Sequence, residues 1–100
     1  MPSPLDEKIR GILEGIIDRA IKSIPDQMKL FINRENKARM QIQSENDFVL
    51  GMTLGIINQR FLYEFIDLNQ RVPDNEEFSQ VVDIIFRRTA EMREAIFKSG

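Results

Sequence analysis

The hundred-residue sequence contains no cysteine, no histidine and no tryptophan. Without cysteine there is no disulfide, no thiolate nucleophile and no sulfur-ligated zinc site. Without histidine there is no imidazole acid–base catalyst and no histidine-containing di-iron ligation. A dominant charge sign is missing too: fourteen Lys and Arg stand against sixteen Asp and Glu, a formal net charge of -2. So balanced a chain has no general attraction for nucleic acid or a membrane surface. Its strongest apolar stretch, Phe48 to Ile57, is interrupted by glycine and threonine and falls well short of the roughly twenty residues that cross a bilayer. The opening Met1-Pro2-Ser3-Pro4-Leu5-Asp6-Glu7-Lys8 lacks a basic-then-apolar leader, so a secretory signal is not expected. The expected location is cytoplasmic, and the lack of cysteine fits a reducing compartment.

Catalytic motifs are absent as well. There is no G-x-S-x-G elbow and no G-x-x-x-x-G-K-[ST] phosphate loop. Ser3, Ser23, Ser44, Ser79 and Ser99 fall at helix ends or on polar arcs, where capping or solvation accounts for them. The expectation is a protein that is not an enzyme, with no catalytic residue, no metal and no cofactor.

What the chain does have is helical periodicity throughout. A first helix is expected over 4–24, with Ser3 as N-cap, Pro4 at the first position and Asp6 and Glu7 in the first turn. Leu5, Ile9, Ile12, Leu13, Ile16, Ile17, Ala20 and Ile24 form its apolar stripe, and Pro25 is expected to end it. A second, outer helix over 26–43 carries only Met28, Phe31, Ile32, Ala38 and Ile42 as its stripe. Ser44 facing Asp47 is a weak capping box for a third helix over 45–68, although helices two and three could also run on continuously. That third helix is apolar around most of its circumference, with only Thr53, Arg60, Glu64 and Asp67 fit for water. Asp74 and Glu77 then cap a fourth helix over 75–98, with Phe78, Val81, Val82, Ile85, Thr89, Met92 and Ile96 inside and Phe86 and Phe97 widening the stripe. The expected fold is all-α: one domain over 1–100, a compact antiparallel four-helix bundle with the third helix central.

Glycine is used in an unusual way. Gly11, Gly15, Gly51 and Gly55 form two pairs, each four residues apart and inside an expected helix, where each glycine costs on the order of 1 kcal/mol relative to alanine. Residues four apart share a face, so such a pair leaves room for close backbone approach. For Gly51 and Gly55, on a strip with Phe48, Asn58 and Leu62, three readings stand. These are a tight crossing within the chain with Asn58 satisfied by a neighbouring carbonyl, a subunit contact with Asn58 fixing register, or a ligand held by Asn58 with Arg60 or Arg93. Gly11 and Gly15 lie opposite the isoleucine stripe, beside Lys8, Asp18 and Lys22, where drift or a docking helix would account for them.

Charge placement adds further candidates. Glu14 with Asp18, Glu64 with Asp67, and Glu91 with Glu94 have the spacing of carboxylates that can hold Mg²⁺, but Arg60, Arg87 and Lys98 share those faces as expected ion-pair partners. Arg93, at the edge of its stripe, needs a carboxylate partner, for which Asp67 or Glu64 could serve, or has to snorkel out to water. Lys29, Arg34, Lys37 and Arg39, mixed with Asn and Gln, are the residue types that contact phosphates and base edges. Glu64, Asp67, Asp74, Glu76 and Glu77 make an acidic end that complements them. The expected function is a non-catalytic helical interaction module that self-associates as a homodimer, or binds a helical protein partner, through Phe48, Gly51, Gly55, Asn58 and Leu62, with Gly11 and Gly15 a second surface. The alternative is a small nucleic-acid-associated regulator using Lys29, Arg34, Lys37 and Arg39; no membrane role is expected.

Overall fold

The computed structural model describes residues 5–99, and among them five α-helices are present and no strand. They are α1 (Glu7–Phe31), α2 (Arg34–Met40), α3 (Glu45–Asn69), α4 (Asn75–Arg87) and α5 (Thr89–Ser99). The all-helical class is therefore as the periodicity predicts. The caps proposed on Ser3 and Pro4 lie outside the described residues.

α1 starts from Asp6, whose Oδ1 accepts the Ile9 amide at 2.8 Å. It does not stop at Pro25 but runs through it for another six residues. Proline lacks the amide that would bond to the carbonyl four residues earlier, which makes an interior proline costly. Here the helix gains by continuing, because Met28 lies four residues beyond Ile24 and joins it in the core. Burial of a side chain that size contributes roughly 1.5–3 kcal/mol, the same order as the proline cost. Pro25 itself faces outward.

The expected second helix over 26–43 is thus divided. Its first part belongs to α1, and the rest is the seven-residue α2, which buries nothing. Asn33 caps α2 by accepting the Asn36 amide at 2.8 Å, and Gln41 ends it in the left-handed conformation. That break settles the continuity question: α2 and α3 are separate helices. Ser44 caps α3, its Oγ accepting the Asp47 amide at 3.3 Å.

The core is one cluster drawn from α1, α3, α4 and α5. α3 packs chiefly on α1 and α5, and α1 also meets α5. With two principal neighbours α3 cannot bury its whole circumference. Its fully buried line is Val49, Thr53, Ile57, Phe61 and Phe65, one residue per turn, with Leu50 beside it. Thr53, expected to face water, lies in this line because its hydroxyl donates to the Val49 carbonyl at 2.8 Å, leaving only its methyl for the core to meet.

The loop after α3 is fixed by one guanidinium. Arg71 donates to both Glu77 carboxylate oxygens at 2.7 and 3.0 Å and lies 5.1 Å from the centre of the Phe65 ring. Glu77 accepts the Asp74 amide at 2.9 Å while Asp74 accepts the Glu77 amide at 2.8 Å, a reciprocal capping box. Arg71 and Asp74 together hold the Glu77 carboxyl below its usual range, the Arg71 hydrogen bond being the larger cause.

The expected fourth helix is broken at Arg88 into α4 and α5. The Arg88 amide turns back to Ile85 rather than four residues away, and the Thr89 hydroxyl donates to the Ile85 carbonyl at 3.3 Å. The break moves Ile84 into the core and leaves Phe86 and Phe97, expected to widen the inner stripe, exposed; Phe97 is 79% exposed. The body measures 47 × 23 × 19 Å.

Candidate interaction surfaces

α3 presents a face that its own chain covers only in part, Phe48 at one end packing against the core. Gly51 and Gly55 are exposed, and a Cβ placed on either meets nothing within 4 Å. The tight crossing within the chain is therefore not what these glycines serve. Phe48, Asn58 and Leu62 on the same strip are half-buried, and the Asn58 amide has no hydrogen-bond partner among the described residues, so the expected carbonyl contact is absent as well. Beside the strip lie half-buried Met52 and Ile56 and exposed Tyr63 and Ile66, the tyrosine at 71%. Tyr63 stands between two shallow depressions, one of about 330 Å³ against Ile66 and Asp67 and one of about 320 Å³ against Ile56 and Arg60. A stretch of helix that is apolar, open and partly without side chains has the shape needed to receive another helix.

The second glycine pair is also open. Gly11 is exposed with nothing within 4 Å of its Cβ position, and Gly15 meets only Arg19 Nη1 at 3.5 Å. Lys8 and Lys22 flank it unpaired among the described residues, while Asp18 is engaged elsewhere.

Asp18 belongs to a cluster that sequence reading missed. Arg88, whose side chain is only 18% exposed, donates to Glu14 at 3.1 Å, to Asp18 at 2.7 Å and to Glu91 at 2.9 and 2.8 Å. Carboxylates from two of the expected pairs thus accept from one guanidinium instead of standing free for a metal ion. The hydrogen bonds it donates to Glu91, then those to Asp18 and Glu14, fix Arg88 firmly in its charged form, and Arg88 in turn holds the Glu91 carboxyl below its usual range. No group of residues suited to a metal ion occurs among the described residues. The one sequence signal for this cluster was the Arg87-Arg88 dipeptide in mid-helix, which does not say which arginine turns inward.

Of the ion pairs expected on helix faces, Lys98 to Glu94 at 3.0 Å is present. Arg60 and Arg87 make none among the described residues, and Arg93 pairs with Asp47 at 3.3 Å rather than with Asp67 or Glu64. Glu64 and Asp67 are exposed near the end of α3, with Asp74 and Glu76 beyond them.

The basic residues are redistributed by the early end of α2. Lys29 on α1 and Arg34 and Lys37 on α2 converge on an open cavity of about 420 Å³ floored by Met28 and Ile32. Lys37 is paired with Glu45, whereas Lys29 and Arg34 have no carboxylate partner among the described residues. Arg39 does not join them; it sits 3.9 Å from Glu35 along its own helix.

No helix among the described residues is long and apolar enough to cross a membrane. Comparison with protein-family models, with curated proteins and with solved structures gives no match.

Proposed function

We propose that this protein is a non-catalytic helical interaction module that forms a homodimer through the open strip of α3, Phe48, Gly51, Gly55, Asn58 and Leu62. The observation that carries this reading is the pair of uncovered glycines in mid-helix: alone they lower stability with no local compensation, and a second helix seated over them supplies one. Asn58 on the strip would give such a contact its register, as a buried amide does in a coiled coil. In this reading the helices form an antiparallel bundle with α3 central, and the protein works in the cytoplasm, which suits a chain without cysteine.

Charge favours two copies in opposite orientation. The first turn of α3 is acidic, but Glu45 pairs with Lys37 and Asp47 with Arg93, which leaves Lys29 and Arg34 without a carboxylate partner among the described residues, while its end adjoins Glu64, Asp67, Asp74 and Glu76. Reversing one copy sets the basic end of each against the acidic end of the other. The test is the mass in solution by sedimentation over about a hundredfold dilution. A dimer that Gly51→Leu with Gly55→Leu converts to a folded monomer supports the strip. Retained association in that variant rules it out and moves the contact to Gly11 and Gly15.

A second reading, a nucleic-acid-associated regulator, is favoured by the convergence of Lys29, Arg34 and Lys37 on one cavity. It requires retention on DNA or RNA that weakens steeply with salt and disappears when Lys29, Arg34, Lys37 and Arg39 are replaced by Gln.

A further inference from the structure

On α3, Gly51, Gly55, Gln59 and Tyr63 lie four residues apart and all are exposed, so one row along the helix points away from the core. Both flanks of that row are half-buried: Met52 and Ile56 on one side, Leu54, Asn58 and Leu62 on the other. The row is uneven. Its first two positions carry no side chain, and its last two carry an amide and a phenol. A Cβ on Gly51 or Gly55 meets nothing within 4 Å, and Tyr63 stands among the most exposed large apolar residues. Neither the gap nor the projection is matched within the chain.

A row empty at one end and bulky at the other fits a reversed copy of itself. Set parallel, glycine faces glycine across a void and Tyr63 strikes Tyr63. Reversed, with a two-fold axis level with Ile57, Tyr63 falls over Gly51 of the second copy and Gln59 falls over Gly55. The same axis keeps each flank on its own side. It therefore brings Asn58 against Asn58 and Ile56 against Ile56, both one residue from its level, and Leu54 against Leu62. A side-chain amide carries donor and acceptor together, so two copies of Asn58 satisfy each other. Charge agrees with this arrangement: Lys29 and Arg34, which have no carboxylate partner among the described residues, approach the end of the second α3 that carries Glu64 and Asp67.

We propose that Tyr63 anchors the dimer and sets its register, seated over Gly51 of a second copy that lies reversed along α3, with Asn58 pairing across the two-fold axis. This rests on the homodimer reading and adds to it a fixed register and an anchoring side chain. A tyrosine seated in this way withdraws on the order of 150–250 Å² from water.

The chain has no cysteine, so cross-linking reads the register directly. Gly51→Cys with Tyr63→Cys, both at exposed positions, should give a disulfide-linked dimer on oxidation at concentrations where sedimentation shows association. Within one chain the two sites lie about 18 Å apart, too far for a disulfide, which needs Cα atoms within about 7 Å. Each cysteine alone should fail to link, because like sites in this register are equally distant. Tyr63→Ala and Gly51→Leu should each raise the dissociation constant at least about tenfold, equivalent to ~1.4 kcal/mol. The two together exchange large for small and should recover most of the affinity, which a residue needed only for folding would not do. Thermal midpoints in dilute solution check the fold of each variant. An unaltered protein that stays monomeric at every concentration gives the face to a different protein and overturns the homodimer and the register together. A dimer in which the cysteine pair does not link, either single cysteine links, or the exchanged variant merely sums the two losses overturns the register and leaves the homodimer standing.

Discussion

Replacing Gly51 and Gly55 by alanine tests the central claim with one pair of methyl groups. Both glycines lie inside the 25-residue α3, neither has a positive φ, and a Cβ on either meets nothing within 4 Å. The isolated chain therefore has nothing to lose from the change. Each replacement should stabilise it by about 1 kcal/mol, through helix propensity and a less flexible unfolded chain, or about 2 kcal/mol for the pair. For a domain of this size that raises the melting midpoint by about 4–8 °C per kcal/mol, or about 8–16 °C in all. The proposed dimer predicts the opposite at its contact, where the added methyl groups hold two helices apart. Thermal unfolding followed by circular dichroism should then show the gain in dilute solution, shrinking as concentration rises. Sedimentation should show a dissociation constant raised at least about tenfold, equivalent to ~1.4 kcal/mol. Gly11→Ala is the control, gaining about 1 kcal/mol at all concentrations and leaving association alone. A pair of alanines that fails to stabilise the dilute protein refutes the claim that these glycines are locally uncompensated. A gain that is equal at every concentration refutes the α3 contact.

Three other outcomes follow from the geometry. Arg88→Met leaves Glu14, Asp18 and Glu91 facing one another without their shared cation, so urea unfolding should show a loss of about 1–3 kcal/mol; Arg88→Lys should recover only part, because one ammonium cannot match the forked contacts. Glu77 has a folded-state pKa below its unfolded value, so its contribution is intact above the ordinary glutamate range near about pH 4.3 and is lost as pH falls through the lower folded value. The acid limb of a stability–pH curve should therefore be shallower in Glu77→Gln, and an unchanged limb would contradict the Arg71–Glu77 assignment. Pro25→Ala restores an amide to the middle of α1 at an outward position and should raise stability by about 1–3 kcal/mol in the same urea assay, whereas a loss would mean that α1 needs the proline's shape.

Local signals in the sequence were legible where a few neighbouring residues decide the outcome. Ser44 with Asp47 and Asp74 with Glu77 start helices as their spacing predicts, because a cap is settled within four residues. The apolar stripe of α1 was also legible: Leu5, Ile9, Leu13, Ile16, Ile17, Ala20 and Ile24 are all buried, with Ile12 packed against them. Pro25 misled because its local cost was opposed by a contact one turn later, the burial of Met28, which depends on how the rest of the chain folds. Phe86 and Phe97 misled for a related reason. They share a face with the core only if α4 and α5 form one continuous helix, and the turn at Arg88 removes that registry.

The α3 strip was legible as a pattern of glycines, yet the covering of those glycines is a property of the fold and not of the pattern. A small residue signals that something comes close but not from which molecule. The open Cβ positions of Gly51 and Gly55 remove the neighbours within the chain from the list. Apolar surface on the flanking Met52, Ile56, Tyr63 and Ile66 says that whatever covers the strip also excludes water there. In the proposed dimer, the unpaired Lys29 and Arg34 near the start of α3 and the carboxylates beside its end would favour a reversed second copy over a parallel one, Glu45 and Asp47 of the first turn being already paired with Lys37 and Arg93. That orientation has a consequence of its own, read by sedimentation: exchanging Glu64 and Asp67 for lysine should weaken the dimer, and adding Lys29→Glu with Arg34→Glu should restore it, whereas a dimer that the second pair of changes fails to restore would refute the reversed orientation.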